Sequence, residues 1–129
     1  MKYYIATGLE NHQAHNQLRD MLNGLGHKIT YDWTEHGPVW QKGQGACRQV
    51  ALKELAGVEA ADTVIVLMPG GRGTHIELGA ALIKSKRILF YSAEDKDHWV
   101  NEKFCAFYAH PGIVHFKIWE DLTGYLKNG

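Results

Sequence analysis

The chain has 129 residues, 45% of them hydrophobic, with 14 Lys and Arg balanced by 14 Asp and Glu. A neutral chain without a basic stripe or tail excludes the electrostatic footprint of a nucleic-acid polymer binder. Met1–Gly8 lacks a long apolar signal region, and no apolar run approaches the ~20 residues that span a bilayer, so the expectation is one cytoplasmic domain over residues 1–129 without membrane attachment.

In chain order, Tyr3-Tyr4-Ile5-Ala6 predicts a first strand that ends at Thr7-Gly8. His15, Leu18, Leu22 and Leu25 then form a helical stripe closed by Gly26. Lys28–Trp33 predicts a second strand, followed by a polar and aromatic loop to about Gly45. A second helix is expected over residues 46–60, with Val50, Ala51, Leu55 and Val58 inward. The β-branched run Thr63–Leu67 predicts a strand buried on both faces, and residues 74–84 a helix in which Ile76, Gly79, Ala80 and Ile83 share an apolar side. Arg87–Tyr91 is a fourth strand, residues 99–109 a helix, Ile113–Phe116 a fifth strand and residues 119–126 a closing helix. Cys47 and Cys105 have no C-x-x-C spacing and read as buried thiols in a reducing compartment.

Alternating strands and helices predict an α/β fold: a doubly wound, five-stranded parallel sheet of order 2-1-3-4-5 with helices on both faces. In such sheets a ligand binds beyond the carboxyl ends of the strands, at the switch in strand order. Strands 1 and 3 flank that switch, so the loops bearing Thr7-Gly8 and Pro69-Gly70-Gly71-Arg72-Gly73 converge on one place. Glycines let backbone approach a ligand, and a helix start favours negative charge. Glu77, one turn into the helix, has two readings. Thr74-x-x-Glu77 fits a capping box, which would make the glutamate structural; the richness of glycine before it points instead to a ligand on which Glu77 acts.

Ala61-Asp62-Thr63-Val64-Ile65-Val66, a glycine loop, Gly73-Thr74-His75-Ile76-Glu77-Leu78-Gly79-Ala80-Ala81-Leu82 and Lys86-Arg87-Ile88-Leu89 together resemble the nucleoside 2-deoxyribosyltransferase-like family, which includes 2′-deoxynucleoside 5′-monophosphate N-glycosidases. The resemblance implies a compact doubly wound domain, a homodimer or larger homo-oligomer, and Glu77 as the nucleophile on the anomeric carbon of the sugar. Eight residues before Asp62, where the family tends to carry an aspartate, this chain has Glu54, which becomes the second catalytic candidate. The transferases carry another aspartate in the loop, where this chain has Gly70-Gly71-Arg72. Pro69–Glu77 is also similar to the P-G-G-x-G-T-x-x-E motif of the Lonely Guy phosphoribohydrolases, although their G-G-G segment is absent. Both similarities imply the N-glycosidic bond of a nucleoside or nucleotide.

Cleaving that bond leaves positive charge on the sugar and negative charge on the base, chemistry that two carboxyl groups suit. The helix start should keep Glu77 ionised. Arg72, with the N–H groups of Gly71, Gly73 and Thr74, is expected to hold a 5′-phosphate, which favours hydrolysis of a nucleoside 5′-monophosphate over transfer. Asp32 and Trp33 are expected to contact sugar and base, with Trp40 closing over the base. No metal is expected: His12-x-x-His15 has no third ligand nearby, and no H-E-x-x-H or Cys/His set occurs. Nor is a cofactor expected, since G-x-G-x-x-G is absent after strand 1. The alternative is a nucleotide-binding module without catalysis.

Overall fold

The computed structural model describes residues 1–129. Its sheet has five parallel strands in the order β2-β1-β3-β4-β5: β1 is Lys2–Thr7, β2 Lys28–Ile29, β3 Thr63–Leu67, β4 Arg87–Tyr91 and β5 Ile113–Phe116. Four helices connect and close it: α1 (His12–Gly24), α2 (Gln44–Ala60), α3 (Arg72–Ile83) and α4 (Trp119–Asn128). Alternate side chains divide the core in two. Tyr4, Ala6, Val64, Val66, Ile88 and Phe90 pack with Trp33, Val58, Leu78 and Ala81 on one face. Tyr3, Ile5, Ile65, Leu67 and Leu89 pack with Leu18 and Leu22 of α1 and Leu122 and Leu126 of α4 on the other. No helix is long and apolar enough to cross a membrane.

Five expectations are corrected by this arrangement. β2 is only two residues long: the N–H of Thr30 makes the last bond to β1, at 2.9 Å from Tyr3 O, after which the Thr30 hydroxyl turns to Gly57 O at 2.7 Å and Asp32 accepts from Thr34 N at 2.9 Å to start a 3-10 turn over Trp33–Glu35. α2 buries Gly57 and Val58 but exposes Ala51 and Leu55, since only its last turns press on the sheet while the rest borders the cleft described below. α3 begins at Arg72 and is turned from the expected side: Thr74, Glu77, Leu78 and Ala81 face inward, and Ile76 and Ile83 are 63% and 84% exposed. Residues 99–109 form no α-helix. Trp99 and Val100 are exposed, and the Asn101 side chain takes the local carbonyls of Lys96 and Trp99 and the N–H of Lys103, competing with a helical ladder. A single 3-10 turn, Ala106–Ala109, remains there. Leu25, expected in the stripe of α1, is 46% exposed, and Gly26 ends that helix with φ +89°.

Gly57 decides how close α2 comes to the sheet. A Cβ at that position would stand 2.9 Å from the Cβ of Tyr31 and 3.0 Å from the Tyr4 ring. Its absence lets the helix backbone lie against Tyr4, and this brings Glu54, one turn earlier, towards the end of the Tyr4 side chain.

Candidate active site

The loops after β1 and β3 meet at the switch in strand order. Gly8 donates its N–H to Pro69 at 3.2 Å, and the Thr7 hydroxyl donates to Leu67 at 2.6 Å while receiving the Asn11 amide at 2.9 Å. Beside this seam opens a cavity of about 360 Å³. Thr7, Gly8, Gly71, Gly73 and Thr74 line its floor and Trp33 one wall, with Glu54 and Glu77 inside it. A second cavity, of about 530 Å³, shares Leu9, Glu10, Gly37 and Pro38 with the first and extends it past His12 and Thr34.

Glu77 is 6% exposed and takes no part in a cap. Because α3 starts at Arg72, Thr74 is its third residue and accepts the Gly71 N–H at 3.2 Å, while the Glu77 carboxyl lies a turn deeper and receives the hydroxyl of the fully buried Tyr4. The capping-box reading of Thr74 and Glu77 is therefore wrong, and the reason is the earlier helix start. Burial pushes the Glu77 carboxyl up to about 8; the Tyr4 hydrogen bond opposes the rise, and the neighbouring Glu54 adds to it. The expectation that the helix start keeps Glu77 ionised gives way to desolvation. Burial also raises Glu54, against the pull of His36 and of the hydrogen bond it shares with Glu77. Burial and Glu77 together push the Tyr4 hydroxyl far above its ordinary value, so it remains a donor.

Two expected contacts are not in the cleft. Asp32 lines neither cavity. Its carboxylate is taken by Arg19 at 2.8 Å and by the Thr34 N–H and hydroxyl at 2.9 and 2.5 Å. Burial alone would raise its pKa, but those donors hold Asp32 below the usual carboxylate range. Arg72 is exposed and also lines neither cavity. Trp33 lines the wall, but at 5% exposed, with its indole N–H on Ile5 O at 2.9 Å and its ring edge-on to His15, it is a fixed part of the core. Trp40 lines the same cavity and is 74% exposed.

Three residues in or beside the cleft take roles that the sequence did not suggest, and of these only His36 lines it. His36 donates Nδ1–H to Gly37 O at 2.7 Å, which leaves Nε2 a buried acceptor without a partner. His75 lies in the glycine motif, and its Nδ1–H bonds Gly71 O at 2.7 Å while Nε2 accepts the Tyr108 hydroxyl at 2.6 Å, fixing its tautomer and pinning the loop. Tyr4 was read only as a strand residue. Alternation along β1 could have placed it on the same face as Ala6, but its bond to a residue 73 positions away depends on strand order and helix rotation together.

A profile of the family described as nucleoside 2-deoxyribosyltransferase matches residues 3–114. No curated protein matches the chain by sequence. Among solved structures, the chain is similar to a CMP N-glycosidase from Clostridium botulinum, with 16% identity, a TM-score of 0.65 and 98% of each chain covered. It is similar to a 2-deoxyribosyltransferase from Bacillus psychrosaccharolyticus, with 20% identity, a TM-score of 0.73 and coverage of 97% of this chain and 92% of the other. A 2-deoxyribosyltransferase from Leishmania mexicana gives 20% identity and a TM-score of 0.66 over 98% and 97%. At these identities the likeness establishes a shared fold.

Proposed function

The chain belongs to the nucleoside 2-deoxyribosyltransferase family, and from that premise we propose that it cleaves or transfers at the N-glycosidic bond of a nucleoside or nucleoside 5′-monophosphate. The observation that carries this reading is the buried Glu77 carboxyl, paired with Glu54 and held by the Tyr4 hydroxyl inside a cleft at the switch point. A module that only bound nucleotides would bear the cost of burying two carboxyls side by side for no return.

The chemistry follows from one proton shared by two acids. Near neutral pH, burial and mutual repulsion keep a proton on the Glu54–Glu77 pair. As the substrate's C1′ meets Glu77, that proton moves along their hydrogen bond to Glu54, and the Tyr4 O–H stabilises the carboxylate left on Glu77. A Glu77 oxygen bonds to C1′ as the C1′–N bond breaks. Its electrons pass to the base, which takes the proton from Glu54 and leaves neutral. Water then attacks C1′, giving its proton to Glu54 and freeing Glu77; in transfer, a second base takes the place of water.

Around the reacting carbon, the Gly71–Thr74 turn supports the sugar, Trp33 and Trp40 flank the base, and the free Nε2 of His36 accepts a base N–H. No cofactor enters the scheme. We also propose one domain over residues 1–129, a homo-oligomeric assembly, and a reducing cytoplasmic setting that suits the free Cys47 and Cys105. Incubation with a panel of nucleosides and their 5′-monophosphates, followed by chromatography for free base, tests the reaction. Base released from at least one member, and from none by Glu77→Gln, is the expected result; no release from any member contradicts it.

A further inference from the structure

Building on the glycosidic reading, we infer that Glu10 makes this cleft selective for a sugar with a free 5′-hydroxyl and against the same nucleoside carrying a 5′-phosphate.

The start of α3 is where a phosphate would be drawn, since Gly71, Gly73 and Thr74 line the cleft beside a helix N-terminus. The loop after β1 is fastened to that region through Gly8 N and Pro69 O, and it brings a carboxylate with it. Glu10 folds back over Gly8 so that its Oε1 and Oε2 occupy places 2.6 and 2.9 Å from where a Gly8 Cβ would stand. Glu10 is exposed, and the missing Cβ leaves room for its carboxylate to lie over Gly8. Glu10 lines both cavities and has no Lys, Arg or His ion-pair partner. The acidic side chains of the joined cleft are Glu10, Glu54 and Glu77, and neither lining includes a Lys or Arg. Its histidines, His12 and His36, each turn Nδ1 to a backbone carbonyl. A phosphate entering here would meet like charge without a Lys or Arg side chain to offset it. An ionised carboxylate can only accept hydrogen bonds, so its complement is the O–H of an unphosphorylated 5′ carbon. This reverses the preference that Arg72 suggests in the sequence, because Arg72 lies outside the cleft.

The test compares 2′-deoxynucleosides with their 5′-monophosphates, by base release and by calorimetric binding, for wild type, Glu10→Gln and Glu10→Arg. Wild type should favour the nucleoside by about tenfold or more. Glu10→Gln should narrow that ratio by about tenfold, Glu10→Arg should reverse it, and added salt should narrow the wild-type ratio, because exposed charges are screened. A wild-type preference for the monophosphate, a ratio unmoved by Glu10→Gln, or binding of neither ligand would overturn the inference. Binding separates it from the reaction: a nucleoside preference in affinity that is lost in Glu10→Gln, with no base released, would uphold Glu10 and remove the glycosidic reading.

Discussion

Glu77 is a carboxyl surrounded by protein, one partner away from another carboxyl, and its chemistry and its effect on stability have the same origin. Burial holds its pKa in the fold at about 8, above the ordinary 4.5. The folded state therefore binds this proton more tightly than the unfolded chain. The stability it contributes is complete below about 4.5 and is lost as pH rises through about 8. Glu77→Gln retains a group that can accept from Tyr4 but has no charge to desolvate. Thermal melts should show this variant near wild type at pH 5 and more stable by roughly 5 °C or more at pH 9. Its turnover should nevertheless fall by about a hundredfold or more, a loss of ~2.7 kcal/mol in transition-state stabilisation. Near-wild-type turnover would remove Glu77 from the chemistry. Tyr4→Phe deletes the one hydrogen bond that lowers Glu77. The alkaline limb of its kcat/KM profile, set near pH 8 in wild type by loss of the shared proton, should move to higher pH; an unmoved limb would detach Tyr4 from the titrating pair.

At the scale of elements, the site depends on how closely α2 and α3 seat on the sheet. Gly57→Ala would place a Cβ 2.9 Å from Tyr31 and 3.0 Å from Tyr4, so α2 must retreat. Overpacking of this kind costs about 1–3 kcal/mol, and urea denaturation should show a lower midpoint together with reduced activity, because Glu54 travels with the helix. Unchanged stability would mean that the contact yields freely. The two helices also separate what the sequence displays from what it hides. The glycine loop and Glu77 are legible because turn chemistry and spacing are local properties, whereas Glu54 stands out only through the family resemblance. The inward side of α3 is not, since Ile76 and Ile83 are as apolar as Leu78 and at helical spacing from one another. The inward side is fixed by the packing of Leu78 and Ala81 on the sheet and by the Tyr4 hydroxyl that meets Glu77, and no window along α3 contains those partners. Likewise, Asp32 at the end of a predicted strand resembles a ligand group until α1 brings Arg19 to it.

For the whole molecule, alternation alone led to the strand order 2-1-3-4-5 and to the place where the loops meet. The outer surface bears on the proposed homo-oligomer. It exposes 7540 Å², somewhat more than the roughly 6900 Å² expected of a compact 14.5 kDa monomer. Part of the excess is apolar: Leu52 and Leu55 on α2 are 59% and 43% exposed, and Ile76 and Ile83 project from the neighbouring α3. Sedimentation should find a dimer or larger homo-oligomer, and Leu52→Lys with Leu55→Lys should shift it towards monomer. A monomer at all concentrations would contradict that assembly.

The central claim is that the Glu77 oxygen forms a bond to the sugar, and the direct measurement is to catch that bond. Wild-type enzyme mixed with its best nucleoside substrate, quenched in acid during turnover and digested, should yield a pentosyl ester on the peptide that contains Glu77. The ester should be absent from Glu77→Gln. Free base released with no ester, or an ester on another residue, would contradict the account.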